Sequence, residues 1–257
     1  MKKIFAFLVV AGLVIGGSGI ASAVTLFDRG LPDINLNNAA GSSRSNVSWS
    51  YGSAYPDWFM GDDFTIGTTG QSYVINSLTV WGVQHDPLST DINNVSLYLG
   101  QSGGTLGLLS SGSVTGSNPN ISFAFVNYPS TATNYQGSSG SYIPIVETTF
   151  SGLNIVVQGG VTYNFGVLSD TGGWFNHASN AALSGTPQQG ADGLMLAWNT
   201  SDLSTADVWD SNGSGWDKSS DINVRITGAP VPIPGALLLF GSGLLGLVGI
   251  GRKRLQK

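Results

Sequence analysis

The densest run of oxygen-bearing side chains lies near the end of the polar part of the chain, in "DSNGSGWDKSSD" (residues 210–221). Asp210, Asn212 and Ser214 stand at alternate positions, Gly215 follows where a sharp turn is needed, and Asp221 comes eleven residues after the first. Carboxylate, amide and hydroxyl oxygens at that spacing approximate a calcium loop, calcium being a hard cation that takes about six to eight oxygens. The stretch departs from the usual loop by Ser at the fifth position and by Asp rather than a bidentate Glu at the twelfth. Asp62 and Asp63 are a second candidate, because adjacent carboxylates can clamp the same ion. At both places Asx turns between strands would use the same residues without a metal. Calcium is the only cofactor the sequence raises.

Catalysis finds less support. The two histidines, His85 in "QHDP" and His177 in "FNHAS", both stand beside turn-forming residues. The one Gly-x-Ser-x-Gly match, at residues 100–104, falls in a Gly-rich turn between strands, there is no His-Glu-x-x-His pair, and the chain has no cysteine, which removes thiol chemistry and cysteine zinc sites. A glycosidase needs two carboxylates at a set separation, and no pair among the aspartates and Glu147 is singled out. No catalytic residue is expected, and the chain reads as non-enzymatic, with an exported hydrolase as a rival. Binding by stacking is the other possibility, since Trp and Tyr faces pack on sugar rings. Trp58, within residues 49–59, and Trp174, within residues 172–180, have Asn and Asp nearby to bond hydroxyls. Trp81 falls mid-strand and is expected to pack inside.

The elements that must carry these residues are strands. Residues 73–83, 95–100, 121–128, 161–168 and 222–228 alternate apolar and polar positions with β-branched and aromatic residues, the pattern of half-buried strands. In "YVINSLTVWGV", Val74, Asn76, Leu78, Val80 and Gly82 are expected on one face, with Tyr73, Ile75, Ser77, Thr79 and Trp81 on the other. Gly, Ser and Asn fill the connectors, and no capped period-3.6 pattern occurs before the C-terminal segment. About ten antiparallel strands in two sheets are expected, an all-β, jelly-roll-like β-sandwich with one face of each sheet wet. Residues 128–142 read as a linker or a long loop, and one domain over residues 24–228 is preferred.

Charge narrows the partners. All 15 acidic residues but only Arg29, Arg44, Lys218 and Arg225 among the bases lie in residues 24–228, a net charge of −11. Such a body repels nucleic acid.

The two ends differ from the body. Residues 1–23 have Lys2 and Lys3, an apolar run and then Ala21-Ser22-Ala23, the layout of a secretory signal peptide cut by signal peptidase after Ala23. Residues 229–257 open on Pro230, Val231, Pro232, Ile233, Pro234, Gly235 and Ala236. The three prolines favour an extended backbone. Residues 235–251 form an uncharged stretch of 17 residues, about 25 Å as a helix and just long enough to span a bilayer. Arg252, Lys253, Arg254 and Lys257 then form a basic tip that stays in the cytoplasm. Given the leader, the segment reads as a stop-transfer helix, a transient anchor in the inner membrane.

This order of Pro motif, apolar span and basic tip resembles the PEP-CTERM sorting signal, with Pro232-Ile233-Pro234 standing where Pro-Glu-Pro is usual. Residues 61–82 and 215–228 look more loosely like the first and last strands of the ectodomains such tails carry. The resemblance implies an exosortase-type processing enzyme as a partner. It also implies cleavage near the motif, release or attachment at the cell surface, and association with extracellular polysaccharide and biofilm.

Overall fold

Strand-forming runs order this chain from Val24 onward in a computed structural model that describes residues 23–31, 45–49, 57–84, 95–112, 118–126, 135–136, 142–143, 145–169, 174–180, 189–190, 192–209 and 220–232. The chain divides into two compact units, one of Ala23–Ala229 and one of Met1–Ser22 with Pro230–Lys257. Of the second, only residues 230–232 are described: Pro230 ends a strand, and Val231 and Pro232 follow without regular structure. Among the described residues no helix is long and apolar enough to cross a membrane. Residues 233–257, with most of the sorting motif and the basic tip, lie outside them, as does the leader through residue 22.

The larger unit is all-β, with two antiparallel sheets forming a sandwich. Its strands are numbered in chain order. The eight-stranded sheet holds β1 (Val24–Arg29), β2 (Ser45–Trp49), β4 (Ser72–Gln84), β7 (Ile121–Phe125), β10 (Ile145–Gln158), β12 (Trp174–Asn180), β15 (Ser220–Ile222) and β16 (Val224–Pro230). The six-stranded sheet runs β14 (Asp202–Trp209), β13 (Met195–Asn199), β3 (Trp58–Thr65), β11 (Thr162–Ser169), β5 (Val95–Gln101) and β6 (Gly107–Gly112). A separate pair, β8 (Tyr135–Gln136) and β9 (Tyr142–Ile143), falls in the expected linker or loop and reaches one residue past its end. The described residues thus hold more strands than the ten expected.

In the larger sheet β1, β16, β4, β10 and β7 lie side by side, and β12 extends it by pairing β4, β2 and β15. The first strand pairs the last, with Val24 opposite Gly228 and Arg29 opposite Val224. The chain therefore closes on itself through contacts distant in sequence.

Between the sheets lies the main core, in which Phe27, Phe64, Ile75, Leu78, Phe150, Phe165, Val224 and Ile226 are almost fully buried. Two details depart from the alternation read in the sequence. In β4, Leu78 and Val80 point into this core as expected, but so does Ile75, and Tyr73 packs on it too. The inward face switches across Asn76 and Ser77. Opposite, β10 loses register between Ser151 and Ile155, where Asn154 takes a left-handed φ of 51°. Residues 152–154 of β10 stand against Asn76 alone, and extra residues on one strand re-aim the side chains around them.

The outer faces are also not simply wet. Trp81, Val83 and Ile145 form a second apolar cluster on the side of β4 opposite Leu78 and Val80. Phe59, Trp198 and Leu106 form a third on the outer side of the six-stranded sheet. There the Phe59 and Trp198 rings stack at 5.9 Å over Gly166 and Gly61, where a side chain would collide with them. Leu106 ahead of β6 and Leu203 of β14 meet through a backbone bond of 2.9 Å and help cover this cluster.

Candidate functional site

One place in the sandwich concentrates charge where the strand pattern calls for apolar side chains. Arg29 follows Phe27 on the inward side of β1, and Asp62 lies between the inward Met60 and Phe64 of β3. Asp221 comes from β15. All three side chains are essentially without exposure. The guanidinium lies 3.1 Å from Asp62 Oδ1 and 3.4 Å from Asp221 Oδ1, so one cation from the eight-stranded sheet faces carboxylates from both sheets. The Phe27 ring covers it at 5.6 Å.

Every guanidinium N–H has an acceptor. Nε donates to the Ile222 carbonyl, Nη1 to the Gly190 carbonyl and Asp221, and Nη2 to the Asp63 carbonyl and Asp62. The carboxylates are held in turn by amides. Asp62 accepts from Asp63 N at 2.7 Å and Ile222 N at 2.6 Å, and Asp221 accepts from Asp192 N at 2.9 Å and Gly193 N at 3.1 Å. Gly190 and Gly193 have φ of 67° and 77°, a conformation that suits glycine, and it turns the backbone of this loop toward Arg29 and Asp221.

Two carboxylates against one positive charge leave the cluster one charge from neutral. Burial pushes the Asp62 carboxyl up to about 8 against the pull of Arg29, and the Asp221 carboxyl up to about 6 against the same pull. Asp63 points to the opposite face of β3. Burial and the neighbouring Asp192 raise its carboxyl as well.

A neutral knot adjoins the charged one. Asn223, between β15 and β16, donates from Nδ2 to the carbonyls of Gly30 at 2.7 Å and Arg29 at 3.2 Å. Its Oδ1 therefore faces His177 Nδ1 at 2.7 Å, which fixes Nδ1 as the protonated ring nitrogen. The Asn223 amide donates back to the His177 carbonyl at 3.1 Å. His177 is fully buried, and burial pulls its pKa down to about 4, so the ring is neutral. This geometry ties β1, β12 and the β15–β16 junction together.

The structure places the sequence candidates unevenly. Asp221 belongs to the buried cluster, where its oxygens meet the guanidinium and two backbone amides. Asp210, Asn212 and Ser214 lie outside the described residues, as do His85 and Asp86. Asp62 and Asp63 do not share one face, so the pair is not a clamp: alternation along β3 turns Asp62 inward to Arg29 and Asp63 outward. Among the described residues no group of three or more His, Asp or Glu side chains is placed to hold a metal ion. Trp58 is half-buried and packs on the main core, while only the backbone of Trp174 is described, paired with Gln84. Trp81 is packed inside, as its mid-strand position implies, with its Nε1 donating to Glu147 at 3.1 Å and Arg225 over its ring.

Arg29 and Asn223 were not among the sequence candidates. The one signal for Arg29 was a charge on the apolar side of a strand, two residues after Phe27. Comparison with protein-family models finds no match to this chain, and comparison with curated proteins finds none either.

Proposed function

We propose that this chain is an exported, non-enzymatic protein, a jelly-roll-like sandwich carried to the cell surface or extracellular matrix by a C-terminal sorting tail. The observation that carries the reading is the order of parts at residues 230–257: prolines at 230, 232 and 234, an uncharged apolar stretch and a basic tip. A leader with a basic start and an Ala-x-Ala exit precedes the first strand, which begins at Val24. Signal peptidase removes the leader, residues 235–251 hold the protein in the inner membrane as a transient anchor, and an exosortase-type enzyme cuts near the Pro motif. The acidic body fits an exopolysaccharide or biofilm setting better than nucleic acid. His177, neutral and bonded to Asn223 in the interior, is poorly placed for catalysis, which favours the non-enzymatic reading.

Processing is tested in the native host by replacing Pro232 and Pro234 with alanine. A shorter, membrane-released form of the wild type and a longer, membrane-retained form of the double variant are expected on fractionation. Equal processing of both would overturn the role of the motif.

A carbohydrate-binding role on the same scaffold is the second reading, and Trp58, only partly buried at the start of β3, favours it. A glycan array without a hit, together with unchanged tryptophan fluorescence on titration, would argue against it.

A further inference from the structure

The surroundings of Arg29 are unusual for an ion pair. Its five N–H groups end on five oxygens, two from carboxylates and three from backbone carbonyls of Asp63, Gly190 and Ile222. That is the donor set of a hard-cation site, and the N–H groups of a guanidinium radiate in one plane. A ring of five oxygens is also what the equator of a pentagonal-bipyramidal calcium site takes. We propose that this cage is a cation site whose cation is the chain's own arginine, and that removing the guanidinium opens it to a calcium ion.

Three further features fit. The ligands come from β3, β15 and the loop ahead of β13, so the cage is held from several sides. Both carboxylates are oriented by backbone amides, the outer-shell support that metal ligands use. The charge balance also fits, because a dication neutralises two carboxylates where arginine neutralises one. The oxygens stand 3.0 to 3.4 Å from the guanidinium nitrogens, so a central ion with bonds of about 2.3–2.6 Å needs inward movement and water to complete its shell. Magnesium, bound at about 2.0–2.1 Å in near-ideal octahedra, suits so wide a ring poorly. In the natural chain arginine fills the place, and closure of the sandwich needs no metal.

The test uses the purified full-length chain and its Arg29→Asn and Arg29→Met variants, melted in chelator, in calcium and in magnesium. Wild-type melting is expected to be unchanged by any of them. Arg29→Asn, which vacates the cage, should melt lower in chelator and recover roughly 5–10 °C in calcium at about 100 times its Kd. Arg29→Met fills the space with an apolar chain and should show the loss without the recovery. Adding Asp62→Asn to Arg29→Asn should abolish it. Terbium luminescence should report one ion on Arg29→Asn and none on wild type. Should Arg29→Asn not fold in chelator, refolding on addition of calcium, followed by near-ultraviolet dichroism, replaces the melt. The proposal is overturned if calcium recovers Arg29→Asn no better than Arg29→Met, if it stabilises wild type equally, or if the unfolded variant stays unfolded with calcium present.

Discussion

Replacing Asn223 by alanine tests how the ends of the sandwich are held together. The side chain makes three buried bonds, donating to the carbonyls of Arg29 and Gly30 and accepting from His177 Nδ1. Truncation removes all three and leaves their partners shut away from water. A buried polar group stripped of its partner costs about 1–3 kcal/mol, so the variant should lose about 3 kcal/mol or more. In a domain of this size that lowers the melting temperature by roughly 6–12 °C, at about 2–4 °C per kcal/mol. Replacing His177 by phenylalanine removes the imidazole and its N–H together, and the double variant closes a cycle. Asn223→Ala should cost less in the His177→Phe background, because one of the stranded donors is gone. A coupling of about 1 kcal/mol or more, measured by urea denaturation of all four proteins, is expected. Strict additivity, or a loss below about 1 kcal/mol for Asn223→Ala, would refute the reasoning that this knot closes the fold.

The buried carboxylates give the stability a pH dependence whose sign follows from proton counts. Asp62 and Asp221, raised by burial to about 8 and about 6, keep protons in the fold that the unfolded chain releases near 3.8, so stability falls as pH rises through that span. His177, lowered by burial to about 4, acts in the opposite direction up to its ordinary 6.5. Between pH 7 and 8 Asp62 carries most of the difference in bound protons among these three groups, and stability there should drop by up to about 1.4 kcal/mol per pH unit. Denaturation midpoints across that window should show the drop in wild type and lose it in Asp62→Asn. Trp198→Ala should cost about 3–5 kcal/mol although its ring lies on an outer sheet face, since it is buried against Phe59 and Leu106; a loss under about 1 kcal/mol by urea denaturation would mean that this face is solvated. Gly61→Ala should destabilise as well, because the added carbon would meet the Phe165 carbonyl and stand 2.7 Å from the Trp198 ring; unchanged melting would contradict that packing.

Which parts of this fold could be read from the sequence depends on how local their causes are. In β5, Val95, Leu97 and Leu99 are buried while Ser96 and Tyr98 are less so, because alternation there answers to one core face. The same rule read the sandwich, and the mid-strand position of Trp81 read it as packed. It failed in β4 at Ile75, since the switch of face goes with the register shift in β10, some seventy residues away. It failed again for Phe59 and Trp198, whose outer face is covered by chain around Leu106 and Leu203 that no periodicity in β3 reports. The buried cluster was least visible. Arg29 bonds to Ile222 across 193 residues and Asn223 to Arg29 across 194, and only pairing of the first and last strands brings them together. Asp221 was noticed for its spacing from Asp210, yet its observed partner is a cation from the other end of the domain.

The measurement that bears most directly on the proposed sorting is the intact mass of the protein isolated from its native host. A mass well below the 26.6 kDa of the whole chain is expected. It should correspond to loss of the leader through Ala23 and of the segment beyond the Pro232-Ile233-Pro234 motif. A mature protein that keeps residues 235–257 would contradict it.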